Sequence, residues 1–291
     1  MTAGADRDPA APPVPSGPRS SVGAPGDRAA VAPHPRRRGG RGQARRLAWL
    51  ATLAAFYAAC LWVVPLDPAR LWAGLPRLAS WLAGAFPPDF SGPGDLARRA
   101  AETVAIATLG TTLAAGLALP LTLFATRPVA PVPALYHPAR AVMDVLRGVD
   151  GFVFALIFVA AVGLGPFAGL LGVALHSAGS VAKLWSEALE AADPAPVEAA
   201  LTAGASRAAA AAVVLLPETL PQTASAVLYV WEFNIRASTV LGLVGAGGLG
   251  QELKNAVDLL DFARVLAILL VIVALVLAAD RLSARLRAAL L

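Results

Sequence analysis

Cysteine is almost missing from this chain. Cys60 is alone among 291 residues, so a disulfide framework and a cysteine metal site are both excluded. Charge is scarce as well: Asp, Glu, Lys and Arg together make up 15%, against about a quarter of a soluble domain. With 57% hydrophobic residues, that deficit excludes an ordinary water-soluble globule. Histidine is rare, and neither His34 nor His137 has a cysteine or acidic neighbour at metal-ligand spacing. His176 lies in an apolar run and is expected to be a hydrogen-bonded packing residue. No Ser–His–Asp or paired-carboxylate arrangement stands out, and there is no Walker-type phosphate loop. The chain is therefore expected to be no enzyme and to hold no cofactor or metal of its own. Its net charge of +5 comes mostly from an arginine-rich N-terminal segment. Membrane topology accounts for that segment, and nucleic acid is not an expected partner.

What the chain does have is long apolar runs, and about 20 apolar residues suffice to cross a bilayer core as a helix. Residues 1–44 are rich in Pro, Ala, Gly, Ser and Arg. They offer too little apolar surface to offset the entropy of ordering, and read as a disordered tail. The charged region and the apolar stretch after it are both too long for a secretory signal. Leu47–Leu66 carries no charge and places a first span in 45–66. Residues 67–101 read as an extra-membrane loop with interfacial helices, since Trp72 and Trp81 favour the headgroup zone. Thr103–Thr126 is a second span. Gly151–Ala182 is 32 residues without formal charge, too long for one crossing. Gly163-Leu164-Gly165-Pro166 divides it into a third span near 144–163 and a fourth near 166–184. A charged, Ala-rich loop fills 185–217, and Gln222–Val244 and Phe262–Ala279 are the fifth and sixth spans. The expected fold is all-α and polytopic, with six crossings.

Alternate loops then divide 17 Lys and Arg on one side from six on the other, with Arg236 inside a span. The richer side faces the cytoplasm. Both termini and the 185–217 loop are expected there, in a multi-pass cell-membrane protein.

Within that loop, Asp193-Pro194 reads as an N-cap followed by Pro at the first helical position. Gly204 permits a turn, and Ala205–Leu216 is expected to form a second helix ending before Pro217. Glu198-Ala199-Ala200, then three residues, Gly204, nine residues and Val214-Leu215-Leu216-Pro217, resembles the cytoplasmic coupling loop of ABC importer permeases. Val214 stands where Ile is usual. From 102 to 287 the chain resembles the phosphonate-type permeases. The resemblance is carried by Gly163-Leu164-Gly165-Pro166-Phe167-Ala168-Gly169, by Trp231-Glu232-Phe233-Asn234-Ile235-Arg236, and by the glycine-rich run from Thr239 to Gln251. It departs at Val149-Asp150, where that family has Pro-Glu.

The resemblance implies a type I importer permease core in a bacterial inner membrane. It implies a permease homodimer, two ABC ATPase subunits that use ATP and Mg, and an extracytoplasmic solute-binding protein. Glu198, Ala199, Ala200, Gly204, Leu216 and Pro217 would couple to the ATPases. The cargo would be phosphonate or a related phosphorus oxyanion. A permease for methionine or another small solute shares the glycine element, and an ATPase-independent channel is the alternative from another class.

Inside the fifth span, Glu232 and Arg236 are four residues apart and share a helical face. A lone charge there costs about 2.5–3.5 kcal/mol, so such residues face a polar cavity or a partner. Glu232, Asn234, Arg236 and Thr239 are the candidate translocation path. A self-neutralising structural ion pair is the other reading of Glu232 and Arg236. Gly245, Gly247, Gly248 and Gly250 formally match a dinucleotide fingerprint, but a span precedes them instead of a strand. They are expected to serve helix packing or an outer gate. Leu249, Leu253, Val257 and Leu260 repeat at helical spacing beyond them, as in an interfacial helix.

Overall fold

The computed structural model describes residues 40–64, 66–128, 130 and 132–290, with side chains from residue 45. The expected disordered tail lies outside them up to residue 39; the first helix, α1 (Gly40–Val63), takes up its last five positions. The chain divides into two units, the first ending at Asp67 and containing α1, the second beginning at Pro68. Every described element is helical. In the second unit α2 (Pro68–Gly84) is followed by α3 (Pro93–Ala125), α4 (Tyr136–Gly148), α5 (Gly151–Val162) and α6 (Pro166–Ala191). Then come α7 (Pro194–Thr202), the single turn α8 (Arg207–Ala210), α9 (Leu216–Leu241), α10 (Gly248–Asp258) and α11 (Phe262–Leu290).

Helix α6 is the hub, packed by α3, α4, α5 and α9. Lipid is as apolar as leucine, so helices in it associate through close packing, which small residues permit. A Cβ on Gly172 would lie 2.8 Å from the Ala155 nitrogen, and one on Gly179 would lie 2.7 Å from the Arg147 nitrogen. On α3, a Cβ at Gly110 would lie 2.7 Å from Val173 Cγ1. Polar ties close the end of the bundle where α3 stops. Arg140 on α4 donates to the Ala125 carbonyl at 3.1 Å and to both Glu190 oxygens at 2.7 Å, drawing α3, α4 and α6 together.

Among the described residues, five helices are long and apolar enough to cross a membrane: 45–63, 93–125, 166–191, 207–244 and 262–290. A sixth crossing is reached only when α4 and α5 count together as one broken span, in place of the expected third span near 144–163. Helices α4 and α5 meet there at a bend of 86°. Val149 is extended and Asp150 caps α5, its carboxylate accepting from the Phe152 N–H at 2.8 Å. Helix α5 has 12 residues, about 18 Å of rise against a core of about 30 Å. Only the bent pair together has the length to cross. His176 of α6 braces the bend, its Nδ1 lying 2.8 Å from the Val149 carbonyl oxygen.

The helix expected to end before Pro217 does not end there. It runs on through a π segment, Ala211–Leu215, into α9. Proline has no N–H and its ring crowds the carbonyl four residues back. Just ahead of it the Leu216 N–H reaches five residues back to Ala211. The wider turn carries the chain through two prolines, Pro217 and Pro221, without breaking it.

Candidate functional site

Three groups of expected site residues can now be located. The first is the loop after α6. Asp193 caps α7 by accepting from the Ala195 N–H at 3.0 Å. At the far end the Ala205 N–H bonds to the Ala200 carbonyl and the Gly204 N–H to the Leu201 carbonyl, both at 3.0 Å. That doubled closure is a Schellman cap, and it needs a left-handed residue. Gly204 supplies it with φ +92°. Ser206 then caps α8, accepting from the Ala209 N–H. Glu198, Ala199 and Gly204 are exposed, and so are Leu216 and Pro217 beyond the π segment. Ala200 is half-buried. Each turn of the loop is thus fixed by its own cap, leaving a short rigid helix with an exposed face.

The second group lies on α9 and separates into two faces. Asn234 is buried, 1% exposed. Its amide donates to Thr111 Oγ1 at 2.8 Å and to Ser177 Oγ at 2.9 Å, joining α3, α6 and α9. It looks into the bundle, away from any path along the outside of α9, because a buried amide must have both partners. Thr239 folds back, its hydroxyl donating to the Arg236 carbonyl. Glu232 and Arg236 face the other way. Glu232 Oε1 is 3.0 Å from Arg236, while its Oε2 is 3.3 Å from Arg287 at the end of α11. Glu232 is thus shared by two guanidinium groups, and the trio keeps one net positive charge. Arg236 remains half exposed at 53%.

Glu232 and Arg287 of that trio border a groove along α6 and α9. One cavity of about 640 Å³ is lined by Glu232, Arg287, Gln222 and Ser225. A second, of about 360 Å³, is lined by Arg147, His176, Ser180 and Lys183, and the two share Glu187 and Tyr229. Lys183 and Glu187 form an ion pair of 3.2 Å. Sequence reasoning passed over Arg147, Lys183, Glu187 and Arg287. Lys183 and Glu187 stood four apart at the end of an apolar run, a signal that was available; the pairing of Arg287 with a residue 55 positions away was not.

The third group, the glycine-rich run, is a point of close contact. Gly245, Gly247 and Gly248 have φ between +71° and +85°. A Cβ on Gly247 would lie 2.6 Å from Glu102, and one on Gly248 at the same distance from Thr103 Oγ1. On Gly250 it would overlap the Thr239 carbonyl. The Gly165 N–H bonds to the Gly245 carbonyl at 2.8 Å, tying the turn before α6 to the turn before α10. The Leu249 N–H, at the start of α10, bonds to Thr103 Oγ1. Leu249 and Leu253 pack against α11, whereas Val257 and Leu260 are exposed. No group of three His, Cys, Asp or Glu side chains suited to a metal occurs among the described residues.

Comparisons with known proteins agree with this architecture. Residues 118–290 match the family model described as binding-protein-dependent transport system inner membrane component. HtxC of Stutzerimonas stutzeri, a permease protein named for a phosphite transport system, is 43% identical over 84% of this chain and 86% of its own. PtxC of the same organism, named as a phosphite transport system permease protein, is 43% identical over 79% of this chain and 83% of its own. Among solved structures, an inward-facing form of the methionine ABC transporter MetNI superposes with a TM-score of 0.60 at 24% identity, covering 69% of this chain and 99% of that one. That likeness shows the fold, that of an ABC importer permease core.

Proposed function

The chain belongs to the binding-protein-dependent transport inner membrane components, and we propose that as the permease of an ABC importer it carries a phosphorus oxyanion, phosphite or a phosphonate. The observation that carries this reading is the Glu232 trio. Glu232 and Arg287 line the groove, and sharing that one carboxylate with Arg236 leaves the trio a positive charge beside it. A group that costs several kcal/mol to hold in a bilayer is kept where it has work to do. A tetrahedral oxyanion is the ligand that such guanidinium groups bind best. The names of HtxC and PtxC point to the same cargo.

The energy comes from elsewhere. Two ATPase subunits bind ATP and Mg, and this chain holds no cofactor. They seat against the exposed face of α7 around Glu198, Ala199 and Gly204, on the cytoplasmic side with both termini. A helix fixed at each end by its caps moves as a body when its seat moves. An extracytoplasmic binding protein delivers the cargo, and two permease copies rock between inward and outward access. The glycine-rich turn between α9 and α10, pinned against Glu102 and Thr103, closes the outer end.

Uptake by the complete transporter tests the cargo. Phosphite and methylphosphonate should compete for the same uptake and methionine should not; competition by methionine alone would refute the reading. Co-purification tests the coupling. Gly204→Val should remain in the membrane and lose both ATPase capture and transport, and normal uptake by that variant would refute the assignment of α7.

A further inference from the structure

The groove holds a second set of cations beyond the Glu232 trio. Arg147, His176, Ser180 and Lys183 line the smaller cavity, between the α4–α5 bend and the half of α6 nearest the loop. The backbone gathers them. Arg147 sits where α4 touches Gly179, and His176, Ser180 and Lys183 lie within one helical turn of that glycine. Each cation has one carboxylate within reach, on its own helix. Lys183 is 3.2 Å from Glu187, and Arg147 is 3.6 Å from Asp144, beyond hydrogen-bond distance. Both carboxylates are more than half exposed. His176 uses Nδ1 on the Val149 carbonyl, which only accepts, so the neutral ring presents Nε2 as an acceptor. A singly protonated oxyanion brings both the negative oxygens for the cations and an O–H for such an acceptor.

We propose that this cavity is a transient station for one tetrahedral phosphorus oxyanion, held between Arg147 and Lys183. Glu187 and Asp144 take the two cations back as the anion departs, so the station binds weakly enough to release. The inference deepens the oxyanion reading and rests on it. The station lies apart from the Glu232 trio, and Glu187 and Tyr229 line both cavities, so one anion passes from the first to the second.

The test uses the permease with its ATPase in discs of phosphatidylcholine, carrying Cys60→Ala and Ser180→Cys. An anionic sulfonate thiol reagent should label position 180 about tenfold faster than its trimethylammonium counterpart, as expected of a site that concentrates anions. Phosphite should slow that labelling several-fold and methionine should not. Adding Arg147→Gln and Lys183→Gln should abolish both effects, and Lys183→Arg should keep them. Equal labelling by the two reagents, or labelling indifferent to phosphite, overturns the station. Protection that needs added phosphatidylglycerol also overturns it, in favour of a lipid headgroup. Uptake by the unmodified transporter is measured alongside. If it moves phosphite while labelling is unprotected, only the station fails; if it moves no phosphorus oxyanion, the cargo reading fails.

Discussion

At the scale of single residues, the two faces of α9 predict opposite responses to substitution. Asn234 holds three helices by its amide, and Asn234→Leu leaves the Ser177 hydroxyl without a partner, while Thr111 keeps its bond to the Ala107 carbonyl. A loss of about 1–3 kcal/mol is expected, the cost of one stranded polar group. Thermal unfolding in detergent measures it. On the other face, Arg236→Gln removes a half-exposed partner and should cost less than about 1 kcal/mol. Glu232→Gln also takes the carboxylate from the less exposed Arg287 and should cost more, about 1–2 kcal/mol. Equal losses for these two variants would show that Glu232 is not shared. The Glu232–Arg236 pair was legible in the sequence because helical spacing alone brings such residues together. The third member was not. Arg287 reads as one of a cluster of topogenic arginines, and only packing of α11 on α9 brings it to Glu232. Asn234 was read with its neighbours as part of a path, because a polar residue inside a span signals polar surroundings without saying which face has them.

At the scale of elements, the bend between α4 and α5 depends on a cap. Asp150→Ala should destabilise by about 0.5–2 kcal/mol while Asp150→Asn stays close to the parent, measured again by unfolding. Apolar runs revealed the crossings, because hydropathy reports how much chain lies in lipid. They did not reveal the bend, because hydropathy is blind to direction: Val149-Asp150 interrupts an apolar run no more than a surface residue would. The same blindness stopped the 205–216 helix too early, since Pro217 ends most helices and only the π segment lets this one pass. Outside the membrane, Asp89 accepts from the Ser91 N–H and hydroxyl at 2.8 Å each, which holds its carboxyl below the usual carboxylate range. A depressed carboxyl stabilises the folded loop above the unfolded value and loses that contribution as pH falls through the folded one. The protection of the Ser91 amide, measured as its exchange rate relative to the unstructured chain at the same pH, should therefore fall in acid, and Asp89→Asn should remove that pH dependence.

At the scale of the whole molecule, small residues set how closely the helices approach. Gly172→Ala would drive a methyl into the Ala155 backbone, and an overpacking loss of about 1–3 kcal/mol is expected. Gly172→Leu should fail to assemble at all, seen as aggregation on gel filtration. Gly204→Ala meets no atom within 4 Å and is strained only by its φ of +92°, so it should cost about 1–2 kcal/mol. The fold as a set of crossings, the loop helix and the close glycine turn were all marked by residue types with one dominant physical use: apolar runs, caps and glycine. The groove was not, because its lining comes from α4, α6, α9 and α11, and no single segment carries its pattern.

The π segment has a consequence for counting. A π turn is one amino acid more than an α turn requires, so α8 and α9 are out of phase by about 100° compared with an uninterrupted helix. Replacing Pro217 by alanine with no residue removed should therefore let the whole length wind as plain α-helix and swing the lever end by that angle around the axis. The bundle below would stay folded, its melting point hardly altered, while the proposed ATPase-docking face would be turned aside; excising one alanine from 211–212 as well should bring it back.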